Sequence, residues 1–199
     1  MFELIKKLFG VETEVYAENE KPLIILWGGS GSGKSTVAEI LSEKYNDRII
    51  ESYTDRPERF YGEKGHIFLS KNEFSSIRRR QMAAYTKFDG HRYCSTLKQI
   101  MTDDVYIVDP SGIKFLKKVK KNGRIKREFL IVHLKVSENI CAQRMKERGD
   151  SEEKIQGRLK NDRKMFWNVP SDLTIDAETN DANTVAKRIH EKVLEIINK

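Results

Sequence analysis

At 199 residues the chain can bury one substantial core but is too short for two full domains. Charged side chains make up 34% and hydrophobic ones 38%, with no apolar run near the roughly 20 residues that cross a bilayer, which excludes a helical membrane protein. The formal charge of +7 favours anionic partners without choosing among nucleotides, nucleic acid and a merely basic surface.

Met1, Leu4, Ile5 and Leu8 recur at helical spacing, while Lys6 and Lys7 interrupt any signal-peptide core. The expectation is a short amphipathic helix packing on the domain or on a second copy of the chain, which would make a homo-oligomer; a membrane-surface or targeting role is the alternative. A polar linker then completes an extension over residues 1–21, ahead of one domain over 22–199.

Residues 22–27, PLIILW, form a continuous apolar run of the kind buried on both faces of a sheet. A glycine-rich turn follows, then helical spacing from Lys34 to Tyr45. Further β-type runs end at Asp109 and Leu134, each followed by a helical pattern. This alternation predicts an α/β fold, a parallel sheet flanked by helices. The span 52–96 breaks the rhythm with short strands, a basic helix near Glu73 to Arg80, and two half-alternating runs around Phe88-Asp89-Gly90-His91, and reads as an inserted lobe with antiparallel strands.

The run KKVKKNGRIKR, residues 117–127, reads as a solvated helix end and turn; no aromatics are interleaved for base stacking, so no nucleic-acid partner is expected. The stretch 144–164 is highly charged and helical with little apolar face, as a mobile lid would be. Val185, Ile189, Val193 and Ile196 mark a final amphipathic helix. Cys94 and Cys141 are too unpatterned for a disulfide framework or zinc site and read as reduced core thiols of a cytoplasmic protein.

The turn after the first strand, Gly28-Gly29-Ser30-Gly31-Ser32-Gly33-Lys34-Ser35-Thr36, satisfies G-x-x-x-x-G-K-[ST]. Its glycines let successive backbone N–H groups point at a phosphate, and the following helix adds its positive end. Lys34 supplies a cation to the β- and γ-phosphates and the Ser35 hydroxyl a ligand for Mg2+. The partner this predicts is a nucleoside triphosphate with magnesium.

Downstream of this loop the chain resembles the guanylate kinase family. Thr54-Asp55-Arg56-Pro57-Glu58-Arg59, Gly62-Glu63, His66-Ile67-Phe68-Leu69-Ser70 and Glu73-Phe74 are similar to the family's T-x-R-x-x-R, Gly-Glu and strand segments. The resemblance implies that Arg56 and Arg59 grip the acceptor's phosphate, and that Ser52, His66, Tyr93, Ser95 and Asp109 line its site. Arg144, Arg148-Gly149 and Arg158-Leu159 resemble the lid, which implies catalytic contacts from Arg144, Arg148 and Arg158, beside Lys34, to the transferring phosphoryl group. His66 replaces the family's phosphate-binding tyrosine, with Tyr61 as an alternative stand-in.

Two departures concern the base. Ala84 stands where the family carries a guanine-reading glutamate, and Ile107 where it has an aspartate. A charge-assisted hydrogen bond contributes roughly 1.5 to 3 kcal/mol, so the missing carboxylate costs about 10- to 150-fold in recognising guanine. Asp89 is either a substitute carboxylate or part of an Asp-Gly turn. The resemblance implies ATP and a small phosphorylated acceptor as partners, and ATP-dependent phosphorylation of GMP or dGMP is the leading expectation. The stretch from His66 to Phe74 also resembles ribose 1,5-bisphosphate phosphokinases, which leaves a sugar phosphate or a non-guanine nucleotide open. A non-catalytic interaction domain is the reading from another class.

Overall fold

The computed structural model describes residues 20–59, 61–88, 90–165 and 169–199. The expected N-terminal helix and Asp89 lie outside the described residues.

The first sheet is parallel, in the order β6-β1-β7-β8, from β1 (Leu23–Trp27), β6 (Val105–Ile107), β7 (Phe129–Lys135) and β8 (Leu173–Asp176). The continuous apolar run of β1 is explained by burial on both faces. Ile24 and Leu26 pack with α1 (Lys34–Tyr45) and α7 (Ala182–Ile197), through Leu41, Val185 and Ile189. Leu23, Ile25 and Trp27 share the opposite cluster with α4 (Pro110–Lys121), through Ile113 and Leu116. Full burial of such side chains is worth roughly 1.5–3 kcal/mol each, so this strand anchors whatever its carboxyl end carries.

A second sheet, ordered β3-β2-β5-β4, contains β2 (Ser52–Thr54), β3 (His66–Phe68), β4 (Met82–Phe88) and β5 (His91–Thr96). β2 runs parallel to β3 and antiparallel to β5, and β4 and β5 form a hairpin in which Phe88 pairs with His91. Alternation divides its residues between two faces, apart from a bulge between Met82 and Ala84. Tyr53, Cys94 and Ile67 pack with Phe74 and Ile77. The register places Ser52, Thr54, His66, Thr86, Tyr93 and Ser95 together on the other face.

Three expectations need correction. The helix near Glu73–Arg80 is α2 (Lys71–Ser76), closed at its start by a Ser70/Glu73 capping box. It stops because Ile77 turns extended to bury its side chain, and a short 3-10 turn, Arg79–Gln81, follows. The charged lid stretch is two helices, α5 (Glu138–Glu147) and α6 (Glu152–Met165), broken at Gly149, where φ is 91°. It does have an apolar face: Met145, Ile155 and Leu159 bury one another. In the basic run, Ile125 and Arg127 are buried; the Arg127 guanidinium donates to the carbonyls of Lys21 (2.7 Å), Ile100 (2.9 Å) and Asp103, and pairs with Asp104. α3 (Leu97–Thr102) links the sheets. No helix among the described residues is long and apolar enough to cross a membrane.

Candidate active site

The glycine turn leaves β1 at the carboxyl end of the parallel sheet, where open α/β sheets place ligands. Two of its glycines answer to space as well as to conformation. A Cβ on Gly28 (φ 152°) would lie 2.6 Å from the Leu134 carbonyl oxygen, and one on Gly31 (φ 81°) 2.6 Å from that of Cys141. The loop is therefore clamped between β7 and α5. Gly33 caps α1, whose first turn holds no acidic residue to offset its positive end. Ser35 and Thr36 are exposed on that turn, and Ser32 is buried in the loop.

The Lys34 ammonium donates to the carbonyls of Gly28 (2.8 Å) and Gly29 (2.7 Å) and to the Ser32 hydroxyl (3.3 Å). Burial pulls its pKa down to about 8, with Asp162 opposing and Arg148 and Arg158 adding to the fall. Lys34, Arg148 and Arg158 thus act on one another electrostatically, and Arg59 of the second sheet's loop acts on Arg158. Asp150 holds the two α5–α6 arginines, at 2.5 Å from Arg148 Nη2 and 4.0 Å from Arg158 Nε. Arg144 donates to the Ala177 carbonyl at 2.9 Å and, with Lys34, acts on the Cys141 thiol.

The arginine pair converges on one carboxylate. Arg56 is 7% exposed and meets Glu63 through two hydrogen bonds of 3.0 and 2.9 Å, with its guanidinium over the Phe68 ring. Arg59 offers Glu63 its backbone N–H at 2.8 Å and a guanidinium nitrogen at 3.5 Å. The Arg56 hydrogen bonds, foremost, bring the Glu63 carboxyl down to about 2. The Tyr93 hydroxyl lies beside the Arg56 guanidinium, yet the buried Arg56 Nε–H meets no acceptor in hydrogen-bonding geometry. Such a donor is costly to bury unless something completes it.

His66 Nδ1 lies 2.9 Å from the Ser52 hydroxyl, and its ring is 5.5 Å from that of Tyr93. Burial, then Arg56, pushes its pKa below the usual histidine value. Tyr61 is fully exposed, whereas His66 lies close enough to Arg56 and Arg59 to feel their charge. Ser95 is buried facing Tyr106, whose hydroxyl is raised above its ordinary value by burial. Asp109 sits just past β6, where its Oδ1 accepts from the Gly112 N–H at 2.9 Å and caps α4. Ala84 packs in the apolar cluster with Val108 and Ile113, and no carboxylate stands among the strand residues on the polar face of the second sheet.

Three residues escaped the sequence reading. Glu63 reads in the sequence only as part of a motif, although its offsets of seven and four from Arg56 and Arg59 signal a partner. Thr86 joins the polar face through pairing with Tyr93. Asp162, on α6, accepts from the Ser30 backbone N–H at 2.6 Å, a contact across 132 residues with no local signal. A cavity of about 330 Å³ on the α5–α6 side of the loop is lined by Trp27, His133, Cys141, Leu159 and Asp162.

Among the described residues, no cluster of three or more His, Cys, Asp or Glu side chains could hold a metal by itself. An exposed hydroxyl on the first turn of α1 suits a cation that keeps water and takes its other ligands from phosphates, which is how Mg2+ binds with nucleotides.

A family model described as an AAA domain matches residues 24–168. The guanylate kinase of Fusobacterium nucleatum is 30% identical over 149 residues, covering 70% of this chain and 78% of that protein. The crystal structure of guanylate kinase from Anaplasma phagocytophilum superposes with a TM-score of 0.58 at 14% identity, covering 92% of this chain and 89% of the other. That of APE1195 gives 0.52 at 17% identity, covering 91% and 99%.

Proposed function

The chain belongs to the guanylate kinase family of P-loop proteins, and from that premise we propose that it transfers the γ-phosphoryl group of ATP to GMP or dGMP, releasing ADP. The observation that carries this reading is the gathering of cations from three elements: Lys34 of the loop, Arg148 and Arg158 of the α5–α6 lid, and Arg59 beside the second sheet. The acceptor is itself a phosphate. Its oxyanion attacks the γ-phosphorus while the bond to the β–γ bridging oxygen breaks, so no general base is needed and charge neutralisation with in-line positioning is the main task.

The loop amides and Lys34 would hold the donor phosphates, with Lys34 exchanging the Gly28 and Gly29 carbonyls for phosphate oxygen. Arg56 and Arg59 would hold the acceptor's phosphate, which completes the orphaned Arg56 Nε–H. Ser52, His66, Tyr93 and Ser95 would line the rest of that site, with Asp109 at its edge by the loop. Ser35 would hold the Mg2+ that accompanies ATP, which when bound supplies charge neutralisation on the donor phosphates. Arg144, tied to Ala177, would position α5.

One observation favours a second acceptor. With a buried Ala84 paired to Ser95 and with hydroxyls and an imidazole along the same face, recognition without a base-reading carboxylate suits a non-guanine nucleotide or ribose 1,5-bisphosphate. A coupled ADP-release assay comparing GMP, dGMP, dTMP and ribose 1,5-bisphosphate separates these, and no turnover with any phosphorylated acceptor would overturn the kinase reading.

Lys34 also sets a pH signature. In the ligand-free protein it loses its proton near pH 8, whereas bound phosphate raises its pKa. ATP affinity should be level below about pH 8 and fall above it, with proton uptake on binding. Calorimetry at pH 9 in buffers of different ionisation enthalpy reads that uptake directly, and its absence would mean that Lys34 does not gain a proton when ATP binds.

A further inference from the structure

A carboxylate from α6 sits on the phosphate loop. Asp162 Oδ2 accepts from the Ser30 backbone N–H at 2.6 Å, and its Oδ1 lies 3.4 Å from the Ser30 hydroxyl. It is also the principal charge favouring the Lys34 ammonium. Amides and the lysine of such a loop are the groups a polyphosphate takes, so an internal anion already holds part of an anion site.

The apolar side of α6 faces α5. Ile155 and Leu159 pack on Met145, and Arg163 pairs with Glu138. Among the described residues, Asp162 is the α6 side chain that hydrogen-bonds the loop, and Arg158 lies one helical turn before it on the same helix.

We propose that Asp162 is an internal competitor for a nucleotide phosphate, holding α6 against the ligand-free loop and giving up the Ser30 amide when a polyphosphate binds. A phosphate oxygen and a carboxylate cannot both accept from that N–H, and two anions beside one lysine repel each other. Release of Asp162 frees α6 to move, and Arg158, carried on the same helix, can then approach the phosphates. The proposal rests on the loop being an ATP site.

Asp162→Asn keeps the shape and removes the charge, and Asp162→Ala removes the contact. Calorimetric titration of the full chain and both variants with ATP at pH 6, where Lys34 stays protonated with or without Asp162, should show the variants binding at least about fivefold more tightly, within the range of ordinary coupling between two binding events. Hydrogen exchange of the ligand-free proteins should show a faster Ser30 amide in Asp162→Ala. ATP affinity unchanged or weaker in both variants, with the parent binding normally, overturns the competitor and leaves the ATP site standing. No binding by any of the three proteins overturns the ATP site and the competitor with it.

Discussion

Lys34→Ala is expected to lower kcat about a thousandfold, or roughly 4 kcal/mol of transition-state stabilisation, while leaving the fold intact. The size follows from the chemistry: a phosphoryl transfer between two phosphates is limited by charge, and Lys34 is the cation closest to the loop amides that would hold the donor. The expectation of an intact fold follows from the ligand-free site. There Lys34 is half-buried, its charged form is disfavoured enough to bring its pKa down to about 8, and its hydrogen bonds are to groups of its own loop. Removing it relieves a buried charge, so the melting temperature should hold or rise. Activity within tenfold of the parent in the ADP-release assay, with an unchanged melting curve, would mean that phosphoryl transfer does not run through this loop. Loss of ATP binding alongside activity would also dispose of a non-catalytic interaction domain as the reason the loop is intact.

The parts of this protein legible in its sequence are those whose signal is local. β1, the glycine turn and α1 lie where an apolar run, a glycine spacing and a helical period put them, because each is dictated by residues within one element. The hairpin likewise follows from alternation around a tight turn. What escaped depends on contacts between distant segments. Ile77 leaves the helical pattern because a core position awaits it, and Arg127 is charged but buried because backbone carbonyls from two other segments surround it. Asp162 resembles any solvated helix residue until α6 is folded back on the loop. Glu63 shows the intermediate case, near enough in sequence to its arginines to be suspected, with its role visible only once both hydrogen bonds are seen.

Arg56→Ala is expected to raise the acceptor's KM about a hundredfold, with a smaller fall in kcat, and to destabilise the fold. The first effect reflects loss of charge-assisted hydrogen bonds to a phosphate, each worth roughly 1.5 to 3 kcal/mol and shared by ground and transition states. The second comes from Glu63, whose side chain is 9% exposed and would be left with the Arg59 N–H at 2.8 Å and the Arg59 guanidinium at 3.5 Å. Breaking a buried pair from one side costs about 3 to 5 kcal/mol, and the surviving Arg59 contacts reduce that to about 2 kcal/mol, or about 4 to 8 °C in Tm for a domain of this size. The parent should also lose stability as pH falls from the ordinary glutamate range toward about 2, because Glu63 is ionised in the fold below the pH at which the unfolded chain protonates it. That acid dependence should shrink in the variant. Adding Glu63→Gln to Arg56→Ala removes the stranded charge, so Tm should recover while the acceptor's KM does not. If the single variant instead keeps its KM and loses only stability, Arg56 serves the fold through Glu63 and the acceptor's phosphate lies elsewhere.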